Sequence, residues 1–179
     1  MIYTLIYLLL MCNDISKPLF NFKTDHALKQ WIIVNDGVMG GLSQSQLKWH
    51  EDGYAIFSGE VSMENNGGFA STRCQPQDFN LNDNVKGIRI HVKGEGNTYQ
   101  FRIHTDKLFD GAAYKYIFET NGEWQTIDIP FEQCKATFRG RIIPNAPRIT
   151  PDVVQQVGFL IAEKQVGPFS LKVKSIEII

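Results

Sequence analysis

The side chains able to do chemistry are few and scattered. His26, His50, His91 and His104 are the four histidines, and Cys12, Cys74 and Cys134 the three cysteines. None stands in a Cys-x-x-Cys pair or beside a second ligand at metal-binding spacing, which excludes a zinc ribbon. No Gly-x-Ser-x-Gly and no local Cys/His pair supplies an activated nucleophile. Asp78, Asp83, Glu119, Asp128 and Glu132 are too dispersed to form an acid/base pair by sequence alone. Gly67-Gly68 lacks the Lys-Ser/Thr of a phosphate loop, and Gly94-x-Gly96 joins two strand-like segments instead of opening a helix. The sequence therefore predicts a protein that is not an enzyme and needs no metal or cofactor. Cys74 and Cys134 read as buried free thiols, a disulfide between them being the alternative in an oxidising compartment.

Binding chemistry is better represented. Arg89 and Arg102 lie on two alternating segments, each beside a histidine, and guanidinium groups hold carboxylates and polyols through several directed donors. Arg73, Arg139 and Arg141 would enlarge a cationic surface if the fold gathers them. A second candidate is the loop Asn35-Asp36-Gly37-Val38-Met39-Gly40-Gly41-Leu42-Ser43. Its short polar side chains suit a structural corner in which Asp36 and Ser43 bond loop amides, or a rim contacting a ligand or partner. The candidate binding residues are thus Asn35, Asp36, Met39, Ser43, Arg73, Arg89, His91, Arg102 and Arg139.

The elements that must position them are strands. In 179 residues, 43% are apolar, and 15 glycines accompany short alternating runs. That predicts one all-β domain with a substantial core and only short helical turns, at Asp25 to Trp31 with Thr24 or Asp25 as cap, and at Pro151 to Gln156. Gln46 to His50 and Tyr54 to Val61 read as a hairpin about Asp52-Gly53. Ile88 to His104 reads as another, turning at Gly94 to Asn97, with Val92 opposite Tyr99, Ile90 opposite Phe101 and Ile88 opposite Ile103. This register sets Arg89 opposite Arg102. Strands at Tyr114 to Glu119 and Trp124 to Ile129 flank the turn signal Asn121-Gly122, and others are expected at Leu19 to Phe22, Val157 to Ala162 and Phe169 to Ile178. Lys135 to Thr150 has little periodicity. Eight or nine strands with apolar inner faces call for a two-sheet antiparallel sandwich. Its expected core is Trp31, Phe57, Phe69, Ile88, Ile90, Val92, Tyr99, Phe101, Ile103, Trp124, Ile127, Ile129, Phe159 and Leu171.

Eighteen Lys plus Arg against 19 Asp plus Glu give a net charge of -1, so no bulk cationic field draws nucleic acid or anionic lipid. Ile2 to Met11 is almost wholly apolar, yet only half the length of the roughly 20 residues a spanning helix needs. It reads as a short export signal, a lipoprotein signal ending at Cys12, or a hydrophobic first strand. Residues 1–18 are thus a leader and 19–179 the domain. Membrane attachment is expected only through a lipid anchor at Cys12, and cytoplasmic and envelope locations both stay open.

Several stretches are distinctive. Trp31 to Ser43 is followed by Phe57-Ser58-Gly59-Glu60-Val61-Ser62 and by Glu64 to Arg73, which contains Gly-Gly-Phe-Ala-Ser. Further on come Val92 to Gly96, Trp124 before Ile129-Pro130-Phe131, Phe138-Arg139-Gly140-Arg141, Val157-Gly158-Phe159 and Gly167-Pro168-Phe169. In order and spacing the chain from about Phe20 to Ile179 resembles the complex I intermediate-associated protein 30 family, as a member with a bacterial-type leader. The resemblance implies a galactose-binding-like jelly roll and a role like that of an assembly chaperone. On that footing the chain is a non-enzymatic binding protein holding a protein client, an oxidoreductase subunit being the expected kind. A carbohydrate-binding or cell-envelope accessory module is the alternative.

Overall fold

Alternating apolar and polar residues make strands with one dry face, and two such faces pressed together bury both. The computed structural model describes residues 18–105 and 111–179; leader residues 1–17, Cys12 among them, lie outside these. In chain order the strands are β1 (Pro18–Asn21), β2 (Trp31–Ile33), β3 (Gln44–His50), β4 (Tyr54–Val61), β5 (Ala70–Cys74), β6 (Gly87–Lys93), β7 (Thr98–His104), β8 (Ala113–Glu119), β9 (Gln125–Pro130), β10 (Lys135–Phe138), β11 (Arg141–Ile142), β12 (Gln156–Ile161) and β13 (Gly167–Ile178). A six-stranded sheet runs β3-β4-β13-β6-β9, with β1 also on β13, and a seven-stranded sheet runs β11-β10-β8-β7-β12-β5-β2. Every pairing is antiparallel. The fold is the expected all-β, two-sheet antiparallel jelly-roll sandwich, and the helical segments among the described residues are short 3-10 turns such as Asp25–Gln30 and Pro151–Val153.

The core lies between the sheets. Ile88, Ile90 and Val92 of one sheet and Tyr99, Phe101 and Ile103 of the other are fully buried, with Phe57, Ile129, Phe159 and Leu171 among them. Phe159 meets Phe101 edge-on at 5.4 Å and stacks on Trp31 at 6.3 Å. Of the expected core, Phe69 and Ile127 are only half-buried, and Trp124 is 36% exposed because it lies on the outer face of the six-stranded sheet. Cys74 and Cys134 are free thiols; burial pushes them up to about 11 and about 12.

Three local expectations change. Lys135 to Thr150 opens with a short hairpin, β10 against β11. Thr24 precedes the first 3-10 turn without a capping side-chain bond. The most consequential change concerns Ile88 to His104, which is not a hairpin: β6 pairs with β9 and β13, whereas β7 pairs with β8 and β12. Gly94 to Asn97 instead crosses from one sheet to the other, as does the Asn121-Gly122 turn between β8 and β9. The two crossings are tied together. Thr120 Oγ1 donates to Asn97 O at 2.8 Å and accepts from Gly96 N–H at 3.0 Å, and Gly122 N–H donates to Gly94 O at 2.9 Å. Arg89 and Arg102 consequently point out of opposite faces of the sandwich.

Candidate functional site

The Asn35–Ser43 loop is built around one carboxylate. Asp36 has no exposed surface and accepts from Ser43 N–H (3.0 Å), Ser43 Oγ–H (2.5 Å), Gly68 N–H (2.7 Å) and Phe69 N–H (3.2 Å). Burial raises the Asp36 carboxyl, but these four donors outweigh it and hold the group below its ordinary value. A Cβ at Gly67 would come within 2.6 Å of Asp36 Oδ2, and one at Gly41 closer still, so the paired glycines leave room for the carboxylate. Asn35 Oδ1 accepts from Ser45 Oγ–H at 2.7 Å. Asp36, Ser43 and Asn35 thus serve the loop itself. What the loop presents is apolar: Val38, Met39 and Leu42 are 65%, 59% and 49% exposed, at the β2 edge of the seven-stranded sheet.

The outer face of that sheet gathers the cations. Lys115, Arg102, Gly158 and Arg73 are successive partners in one row across β8, β7, β12 and β5. Arg102 and Arg73 therefore stand about 10 Å apart, two strand spacings, with no side chain between them. Gly158 is needed there: a Cβ would come within 2.7 Å of Arg73 Cβ and nearer to Thr72 O. Arg73 is 7% exposed. Burial, reinforced by the charge of Arg73, pushes the Arg102 guanidinium down to about 10.

The neighbouring groups are polar and largely buried. Arg102 Nη1 donates to Gln100 Oε1 at 3.0 Å, Gln100 Nε2 donates to Glu163 Oε1 at 3.2 Å, and Lys115 reaches the same Glu163 oxygen at 3.6 Å. In the next row His104 faces Gln156. Gln156 Nε2 donates to Cys74 O at 2.7 Å, while Gln156 Oε1 and His104 Nδ1 have no hydrogen-bond partner among the described residues. Burial, then Arg73, then Arg102 push His104 down to about 3, so it is neutral in the fold. This face can donate several directed N–H bonds to an oxyanion or polyol and offers neutral acceptors beside them.

The other sequence candidates lie elsewhere. Arg89 is on the opposite outer face, where its Nε and Nη2 grip Asp128 at 2.6 and 2.9 Å and hold that carboxyl below its ordinary value. His91 shares that face and touches Trp124 edge-on at 5.1 Å. Arg139 sits at the β10–β11 turn with φ 47° and its guanidinium 5.3 Å from the Phe138 ring. Lys115, Gln100, Gln156 and Gly158 were not among the sequence candidates; their register across β8, β7 and β12 is the signal that unites them. A surface depression of about 370 Å³, lined by Phe131, Arg148 and Pro151 among others, shares no residue with this row.

A family model for complex I intermediate-associated protein 30 matches residues 20–173. The chain belongs to that family. Within the complex I intermediate-associated protein 30 family, the mitochondrial protein of that name from Mus musculus is 24% identical over 91% of this chain and 56% of its own length. The chain thus spans a little over half of that relative. An uncharacterized Schizosaccharomyces pombe protein is 30% identical over 82% of this chain and 76% of its own length. Among solved structures, a family 11 carbohydrate-binding module of Clostridium thermocellum, in complex with a mixed-linked tetrasaccharide, superposes with TM-score 0.68 at 19% identity, covering 92% of this chain and 95% of the module. An agarase superposes at TM-score 0.61 and 10% identity, over 90% of this chain and 24% of the enzyme. These two likenesses concern the fold.

Proposed function

We propose that the chain is a non-enzymatic binding protein that holds a protein client during assembly of a respiratory or other oxidoreductase complex. Family membership supports an assembly-related role, and the outer face of the seven-stranded sheet is where the client binds. The observation that carries this reading is the row Lys115, Arg102, Gly158, Arg73: two largely buried arginines of one row with only a glycine between them, whose guanidiniums can direct several N–H donors at one carboxylate. The exposed Val38, Met39 and Leu42 add an apolar rim at the edge of the same sheet. Arg89, His91 and Arg139 take no part in this contact.

The test is capture of respiratory subunits from a native-host extract, quantified by mass spectrometry, with the Arg73→Gln/Arg102→Gln chain beside the wild type. The wild type should enrich a defined set of subunits and the folded double variant lose them by tenfold or more, since truncating one partner of a buried charge contact costs roughly 2–5 kcal/mol. Equal capture by both would overturn the assignment. A carbohydrate is the second reading, favoured by Gln100, His104 and Gln156 beside the arginines, a donor and acceptor set that fits hydroxyl groups. Saturable, Arg102-dependent retention on a glycan array, with no subunit enriched, would select it.

A further inference from the structure

The outer face of the six-stranded sheet carries a separate cationic cluster. Lys48, Ile56, Lys172 and Lys93 are successive partners in one row across β3, β4, β13 and β6. Lys172 directly faces Lys93, an arrangement that costs stability unless an anion lies against it. In the adjoining row His50 faces Tyr54 and His91 faces Ser175, with Lys174 exposed at the bulge between Val173 and Ser175. A chain of rings underlies them. His50 stacks on Tyr54 at 4.5 Å, and Trp124 is edge-on to Tyr54 at 5.5 Å and to His91 at 5.1 Å. The Lys172 ammonium lies 5.4 Å from the Tyr54 centroid and that of Lys174 lies 5.7 Å from Trp124.

The acids of this face stand at its margins. Asp128 is gripped by Arg89, with Glu177 opposite Arg89 on β13; Glu60 lies towards the other end; Asp52 is 3.5 Å from His50; and Glu123, 81% exposed, reaches Lys93 only at 4.0 Å. The centre is therefore a basic strip. The basic residues are spread over the width of four adjacent strands, β3, β4, β13 and β6, so the strip matches an extended anionic surface better than a discrete small anion. Two further observations choose the kind of surface. Trp124, amphipathic and 36% exposed, sits among the lysines as interfacial residues do. The apolar run Ile2 to Met11 precedes β1 in sequence, and β1 belongs to this same sheet. An apolar segment and a polybasic patch act together at a membrane, as a single acyl chain and a polybasic patch do.

We propose that the outer face of the six-stranded sheet docks on an anionic lipid bilayer, Lys48, Lys93, Lys172 and Lys174 facing the headgroups and Trp124 lying at their depth. The opposite sheet then faces away from the membrane. The experiment is co-sedimentation of the full chain with phosphatidylcholine vesicles, with and without phosphatidylglycerol, at low and high salt. The wild type should prefer the phosphatidylglycerol vesicles and lose that preference at high salt. Lys93→Gln/Lys172→Gln/Lys174→Gln should reduce binding to them about a hundredfold, at roughly fivefold per lysine, with unchanged circular dichroism. Arg141→Gln, on the other sheet, should bind as the wild type does. Retained preference in the triple variant, an equal loss in Arg141→Gln, or lysine-dependent binding of heparin or an RNA oligonucleotide without binding to the vesicles would each overturn the proposal.

Discussion

Lowering the pH from 7 to 5 should destabilise this domain through His104 in particular. An unfolded histidine titrates near 6.5, while burial and the charges of Arg73 and Arg102 push His104 down to about 3 in the fold. Between those values the unfolded chain binds a proton that the folded one refuses, so stability falls as pH falls, by up to about 1.4 kcal/mol per pH unit. From pH 7 to pH 5 the linkage integrates to about 2 kcal/mol. The assay is urea unfolding of wild type and His104→Gln at both pH values. Other titrating groups contribute equally to both proteins and cancel in the difference. The stability of wild type relative to His104→Gln should therefore drop by about 2 kcal/mol on acidification, with the slope against urea unchanged. A difference constant between pH 7 and pH 5 would refute the placement of His104 as a neutral, buried neighbour of two guanidiniums.

Three further outcomes follow from the same packing. Phe101→Ala, which removes a fully buried ring against Phe159, should lower stability by about 3–5 kcal/mol in urea unfolding. Asp36→Ala strands the amides of Ser43, Gly68 and Phe69 and should cost about 3 kcal/mol or more; because the folded carboxyl lies below its ordinary value, its contribution is present above the unfolded pKa and fades as pH falls through the folded one. Arg89→Ala, by contrast, breaks a partly exposed ion pair and should shift the urea midpoint by the equivalent of no more than about 1 kcal/mol.

What could be read in the sequence was whatever each strand decides for itself. The alternation of Ile88, Ile90 and Val92, and of Tyr99, Phe101 and Ile103, names the inward residues, and all six are fully buried. It does not name the partner strand, because an apolar face is equally dry in a hairpin or across a sandwich. Asp52-Gly53 joins a true hairpin, with His50 opposite Tyr54. Gly94 to Asn97 resembles it locally, but Thr120, far along the chain, draws it into a crossing between sheets. The Asp36 loop was legible in the same partial way. That Asp36 and Ser43 bond loop amides follows from their types; that Gly68 and Phe69 complete the set depends on β5 lying beside β2. The row that Arg73 and Arg102 share was not visible, since Gly158, which seats them in it, comes from a third strand.

The exchange of a hairpin for a crossing also decides how the protein can carry its charges. A hairpin would place Arg89, His91 and Lys93 on the same outer face as Gln100, Arg102 and His104. Three cations would then stand in a few square strand spacings, and neither arginine could be buried without repelling the other. The crossing instead sends the β6 set out of one face and the β7 set out of the other, with the apolar core and a sheet separation of about 10 Å between them. Each set then meets its own acids: Asp128 and Glu177 beside Arg89, and Glu163 beside Gln100 and Lys115. Arg102 can therefore sink towards Arg73 while Arg89 stays gripped at the opposite surface. A net charge of -1 conceals this arrangement, because the sum over the chain carries no information about sidedness. The row around Gly158 and the lysine strip beside Trp124 consequently lie on opposite faces and share no residue.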